Sequence, residues 1–213
     1  MPNVVKRPAV VPVAVALALA ASATAYAKVI DGTPGNDRIV GSRQADQIDA
    51  KAGNDRVFAR GGDDSVLGGL GDDVLWGGRG NDNMNGLQGA DVLCGGPGND
   101  RIFANRGRDV THGGAGDDDL WALARADVHS RHDTKGDTVY GDDGNDTIHT
   151  RDGEADVVFC GPGVDTALLD FKDVIGDATP ANPNGSCEVV QRAAPVRGQD
   201  APENDAAKES ANR

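Results

Sequence analysis

Gly68-Gly69-Leu70-Gly71-Asp72-Asp73-Val74-Leu75-Trp76 runs directly into Gly77-Gly78-Arg79-Gly80-Asn81-Asp82-Asn83-Met84-Asn85, the same nine-residue pattern written twice. Outward from this pair, Asp37, Asp46, Asp55, Asp64, Asp73, Asp82, Asp91, Asp100, Asp109 and Asp118 follow one another at nine residues without a slip. The position two before each Asp is Gly in nine of ten repeats, Gln44 being the exception. The position two after reads Ile39, Ile48, Val57, Val66, Leu75, Met84, Leu93, Ile102, Thr111 and Leu120. With Asp at about one residue in seven, ten hits in register by chance is on the order of a one in 10^6 event. A short period this strict is the signature of a solenoid.

The unit predicts six residues of turn and three of strand. Glycines at turn positions one, two and four permit positive φ and close backbone approach, which a chain that reverses every nine residues requires. In a three-residue strand the eighth position faces inward and the seventh and ninth face out. The expected core is therefore thin, one side chain per repeat. Outward ninth positions carry Leu67, Phe103, Trp121, Tyr140 and Phe159 along one face and Phe58 and Trp76 along the other. Such rings serve either to cover strand backbone or to meet a sugar or a partner, and the first is the commoner use.

Stacking coils 18 residues apart lines up Asp37, Asp55, Asp73, Asp91 and Asp109 on one edge and Asp46, Asp64, Asp82, Asp100 and Asp118 on the other. Like charges then sit at about the 4.8 Å strand spacing. A row of that kind repels itself unless a cation neutralises it. A thin core does not offset the ordering of so much chain, so a bound cation is the missing stabilising contribution. The choice of carboxylate points to the ion: the chain holds thirty Asp and four Glu, the first at Glu154, as expected where a short side chain must meet backbone carbonyls at a turn. Hard oxygen donors in a roomy, flexible site suit Ca²⁺ better than octahedral Mg²⁺, and no Cys/His clusters suggest Zn²⁺.

These residues resemble the RTX, or hemolysin-type calcium-binding, nonapeptide family, whose motif is GGxGxDxUx. The resemblance runs from Gly32 to about Leu168. It implies an all-β, right-handed parallel β-roll (β-solenoid) with two repeats per coil, and several Ca²⁺ ions, on the order of ten. Each ion would be held between stacked turns by carbonyls and the sixth-position Asp. The implied ligands are the ten ladder aspartates together with Asp137 and Asp146. The match is closest for Asp73, Asp82, Asp91, Asp100, Asp109 and Asp118; Ala50-Lys51 and Ala59-Arg60 replace the leading Gly pair at Asp55 and Asp64, and Gln44 departs from the motif at Asp46. The closing segments around Cys160 and Cys187 are similar to secreted repeat proteins of high-GC Gram-positive bacteria, whereas toxins of the family use a C-terminal export signal.

Residues 1–27 read as a secretory signal peptide: Lys6 and Arg7, an apolar run from Ala9 to about Ala21, then Ala25-Tyr26-Ala27. No membrane insertion is expected after its cleavage. Losing Lys6 and Arg7 takes the net charge from −13 to −15, which argues against nucleic acid and anionic membranes and for cations. Residues 28–169 are expected to form the roll, 170–190 a cap and 191–213 a disordered tail. Three cysteines in an exported chain suggest one bridge and one leftover. Cys160 and Cys187, which flank the cap, are the expected pair, and Cys94 the free thiol.

The period degrades at Asp127 and gains a residue before Asp137, making Leu123 to Gly136 a candidate bulged loop. His129, Ser130, His132 and Asp133 lie there, too close together for a catalytic triad. The sequence thus predicts a secreted, non-enzymatic calcium-binding repeat protein. An adhesin or glycan-binding module with a cell-surface glycan or protein partner, or the non-catalytic subunit of a secreted enzyme or toxin, is the alternative.

Overall fold

The computed structural model describes residues 27–122 and 136–194. The signal segment up to Tyr26, Asp127 with the His129 group, and the tail from Pro195 lie outside the described residues. Two parallel sheets face each other across a thin interior, with consecutive strands alternating between them. The nine-stranded sheet contains β1 (Val29–Asp31), β3 (Gln47–Asp49), β5 (Ser65–Leu70), β7 (Asn83–Gln88), β9 (Arg101–Arg106), β11 (Asp119–Trp121), β13 (Thr147–Thr150), β15 (Thr166–Leu169) and β17 (Val189–Arg192). The eight-stranded sheet contains β2 (Arg38–Val40), β4 (Arg56–Gly61), β6 (Val74–Arg79), β8 (Val92–Pro97), β10 (Val110–Ala115), β12 (Thr138–Asp143), β14 (Val157–Phe159) and β16 (Val174–Ile175). This is a parallel β-solenoid with two nonapeptides per coil, in which, from β1 to β11, each strand residue stacks on the one 18 positions on, as Val57 on Leu75 and Leu75 on Leu93.

Eighth-position residues fill the interior: Val57, Val66, Leu75, Met84, Leu93, Ile102 and Leu120 are all fully buried. Two expectations need correction. The strands of the central repeats span six residues rather than three, because turn positions one to three continue the ladder, as in the pairs Gly96 with Gly114 and Pro97 with Ala115. Positive φ at the second turn residue lets the chain keep pairing while it bends, and Lys51, Arg60, Leu87, Asn105 and Asp142 adopt it without glycine. The core also has a second inward column, at turn position one: Ala50, Ala59, Ala104, Thr150, Cys160 and Leu169 are buried there.

A third correction concerns the outer faces. Tyr140 and Phe159 lie on β12 and β14, in the sheet of Phe58 and Trp76, and not with Leu67, Phe103 and Trp121. β12 stacks directly on β10, and Asp109 pairs with Asp137 at a separation of 28 residues in place of 18. Both sheets therefore continue without the Asp127 repeat. Counting that repeat as a half-coil assigns every later residue to the wrong sheet.

The solenoid continues through the segment expected to cap it. β16 pairs with β14 and β17 with β15, and Cys160 is bonded to Cys187, tying the turn after β14 to the chain just before β17. Cys94 is the free cysteine among the described residues. No α-helix occurs among them.

Candidate metal centre

Each sixth-position Asp divides its two oxygens between two tasks. Oδ1 accepts the backbone N–H of the Asp one coil earlier, at 2.7 to 2.8 Å for the acceptors Asp55, Asp64, Asp73, Asp82, Asp91 and Asp100. The rows run on through Asp109, Asp137, Asp156 and Asp173 on one edge and Asp118, Asp146, Asp165 and finally Glu188 on the other. Oδ2 is different. In Asp55, Asp64, Asp73, Asp82, Asp91, Asp100, Asp118 and Asp146 it is buried with no hydrogen-bond partner. Asp156 and Asp165, which continue the period, share that state.

An orphaned, buried carboxylate oxygen repeated along both edges is a costly arrangement unless something pairs with it. The backbone shows what would. A methyl on Gly68 would lie 2.6 Å from Asp73 Oδ2 and 2.8 Å from the Gly86 carbonyl; one on Gly86 would lie 2.5 Å from Asp91 Oδ2 and 2.8 Å from the Ala104 carbonyl. The leading glycine thus keeps open a small space bounded by one carboxylate oxygen and a carbonyl of the next coil. Its donors are all oxygen, which suits Ca²⁺. No three Asp, Glu, His or Cys side chains converge on a point among the described residues. Ligation at these turns would therefore rest mainly on carbonyls, with one carboxylate from each turn.

Titration of the row reflects the same burden. Burial, the largest cause, pushes Asp73 and Asp82 up to about 7 and Asp91 and Asp118 to about 8; the ladder hydrogen bond works against the rise and neighbouring carboxylates add to it. Burial pushes Asp137 up as well, and Asp109 and Asp156 on either side of it add to the rise.

The first coil is arranged otherwise. Asp37 Oδ2 accepts from Thr33 N–H at 2.6 Å and Thr33 Oγ1 at 2.9 Å; Asp46 accepts from Ser42 N–H and Oγ and from Lys28 N–H. These oxygens already have donors, so Asp37 and Asp46 close the N-terminal end of the rows. Sequence reasoning missed this, although Thr33 and Ser42 replacing Gly at the second turn position is the visible signal. It also missed a second, outer ladder at the fifth position. There Asn54 N–H donates to Asn36 Oδ1, Asn81 to Asp63, Asn99 to Asn81 and Asn145 to Asp117, at 2.8 to 3.0 Å.

A parallel solenoid whose turns repeatedly bury a carboxylate oxygen near carbonyls defines a class of repeat proteins with oxygen-donor cation sites. The chain belongs to the RTX calcium-binding nonapeptide repeat family, four copies of whose model match residues 31–66, 58–93, 94–127 and 133–167. No curated protein matches it. It is accordingly a calcium-binding repeat protein.

Proposed function

We propose that this is a secreted protein whose β-roll folds around several Ca²⁺ ions, on the order of ten, and that it has no catalytic activity of its own. The observation that carries this reading is the repeated orphan Oδ2, buried in at least ten turns and, in the turns of Asp73, Asp82, Asp91, Asp100, Asp118 and Asp146, facing a carbonyl across a glycine. Asp73, Asp82, Asp91, Asp100, Asp118 and Asp146 are the ligands with this geometry; Asp55 and Asp64 share the orphan Oδ2 beside Ala50 and Ala59, and Asp109 and Asp137 hold equivalent places in the rows. Calcium supplies the positive charge that lets these carboxylates remain ionised inside the fold, while the chain itself supplies the register that stacks one turn on the next. Export is supported by the leader-like residues 1–27 and by the Cys160–Cys187 bridge, since disulfides persist in oxidising compartments.

A calcium titration followed by far-ultraviolet circular dichroism tests this reading. The metal-free chain at neutral pH is expected to be largely disordered and to gain β-sheet signal cooperatively as calcium reaches roughly 10^-4 to 10^-3 M. A β-sheet spectrum unchanged by excess EDTA would refute it.

A further inference from the structure

The two outer faces of the solenoid differ in chemistry. On the nine-stranded sheet the seventh positions from β3 to β13 are Gln47, Ser65, Asn83, Arg101, Asp119 and Thr147, with Val29 and Val189 only on the end strands. On the eight-stranded sheet they are the exposed Arg38 and Arg56 on β2 and β4 and then Val74, Val92, Val110, Thr138, Val157 and Val174, beside a ninth-position row of Phe58, Trp76, Cys94, His112, Tyr140 and Phe159. Those rings lie flat on one another: Phe58 on Trp76 at 4.4 Å, His112 on Tyr140 at 4.4 Å and Tyr140 on Phe159 at 4.8 Å. Stacked in this way they turn edges rather than faces to solvent, so the strip is a smooth apolar surface and not a set of platforms for sugar rings. Its ends are closed, by Arg38 over the Phe58 ring at 4.9 Å and by Phe159 packed on Gly176.

The face has an approximate two-fold pattern. The strand order β2-β4-β6-β8-β10-β12-β14-β16 puts its midline between β8 and β10. About that line Phe58 mirrors Phe159, Trp76 mirrors Tyr140, Val92 mirrors Val110, and the small Cys94 mirrors the larger His112. One charge pair follows the same line with opposite sign, while Arg56 and Arg38 are opposed across it by Val157 and Val174. Arg79 and Asp143 hold the same turn position after β6 and β12, both exposed, and neither side chain has a hydrogen bond or ion pair among the described residues. Asp143 borders a groove of about 650 Å³ that Pro97, Ala115, Tyr140, Asp142 and Pro162 also line. Asp142 is engaged by His112, Nδ1 to Oδ2 at 3.0 Å, which leaves Asp143 for a cation arriving from outside.

We propose that the occupant of this face is a second copy of the chain, laid on it with the solenoid axes antiparallel. That arrangement sets the Arg79 of each copy at the Asp143 groove of the other and the His112 of each over the step left by Cys94. The contact is isologous, so it closes as a dimer and does not propagate into fibres. Eight strands at about 4.8 Å and three residues of width give roughly 350 Å² of flat contact, short of the roughly 800 Å² per partner of a standard interface. The dimer is therefore a weak one. It forms only in the calcium-loaded protein, because two chains of net charge −13 repel until ions neutralise them.

Sedimentation velocity of the full chain in saturating calcium, at chain concentrations up to on the order of 10^-4 M, tests the dimer; circular dichroism on the same samples shows whether each variant has folded. The parent protein is expected to shift from monomer to dimer across the series. Arg79→Asp and Asp143→Arg each weaken the dimer at least about tenfold, and the double exchange Arg79→Asp/Asp143→Arg restores it to within about threefold. Val92→Lys, at the centre of the strip with its side chain on the outer face, gives a folded monomer, circular dichroism showing that the neighbouring Asp91 turn still folds with calcium. The proposal falls if the folded parent stays monomeric throughout, even should a polysaccharide quench Trp76 fluorescence, or if the double exchange fails to rescue the singles. Failure to fold with calcium would instead count against the proposed function.

Discussion

Asp82 illustrates how one side chain carries both fold and site. Its Oδ1 accepts the Asp64 N–H at 2.8 Å, and its Oδ2 is the orphan that awaits an ion. Asn keeps an acceptor for the first task and loses the charge for the second. Asp82→Asn is therefore expected to fold at high calcium with a half-saturation point raised several-fold, whereas Asp82→Ala also strands the Asp64 N–H and costs about 1 to 3 kcal/mol more. Chemical denaturation at saturating calcium separates them, and equal stability of the two would show that the ladder bond contributes nothing. Gly77→Ala addresses the other wall of the site: the new methyl would contact Asp82 Oδ2 and lie 2.9 Å from the Gly95 carbonyl. Natural alanines at positions 50, 59 and 104 show that the backbone tolerates a methyl there. The expected effect is weaker calcium binding measured by isothermal titration with little change in the folded spectrum; an unchanged affinity would mean that the ion does not use this space.

Among the elements, the inward eighth position and the pairing of coils 18 residues apart were legible in sequence because period two within the strand and period nine along the chain are both strict. The length of the strands was not. Glycine at the first two turn positions reads as a break, yet here it lets the ladder run on, and nothing in residue identity distinguishes a glycine that ends pairing from one that bends it. The sheet assignment of Tyr140 and Phe159 failed for a different reason: the step from Asp118 to Asp127 keeps the period, and only the register of β12 on β10 shows that both sheets skip it. The Cys160–Cys187 pair was legible because both residues flank the non-repeat segment. It holds the last, least regular coil, where Asp165 to Asp173 spans eight residues and β16 only two. Replacing both cysteines with serine removes a loop constraint of 27 residues, worth roughly 3 to 4 kcal/mol in the chain-entropy description. Hydrogen exchange in calcium should then show faster exchange in β16 and β17 while β4 to β10 stay protected; uniform protection would show that strand pairing alone holds the end.

At the scale of the whole molecule the raised carboxylates act together, and their sign decides how the fold responds to acid. In the unfolded chain an Asp titrates near 3.9. In the folded, metal-free protein burial lifts Asp64 and Asp100 to about 6, Asp73, Asp82 and Asp146 to about 7, and Asp91 and Asp118 to about 8. Between those limits the folded state binds more protons than the unfolded one, so stability is fully present below pH of about 4 and is lost as pH rises through about 6 to 8. Asp119 runs the other way, because His149 and Arg101 outweigh its burial, but it is one group against seven. Protons and calcium thus relieve the same strain. With EDTA present, lowering the pH from 7.5 to 5.5, still above the isoelectric point of about 4.5, is expected to raise the β-sheet signal. With calcium present the same change is expected to raise the half-saturation concentration, since protons hold the oxygens that the ion needs. A metal-free chain that is less structured at pH 5.5 than at 7.5 would show that the buried carboxylates do not govern the stability of the apo fold.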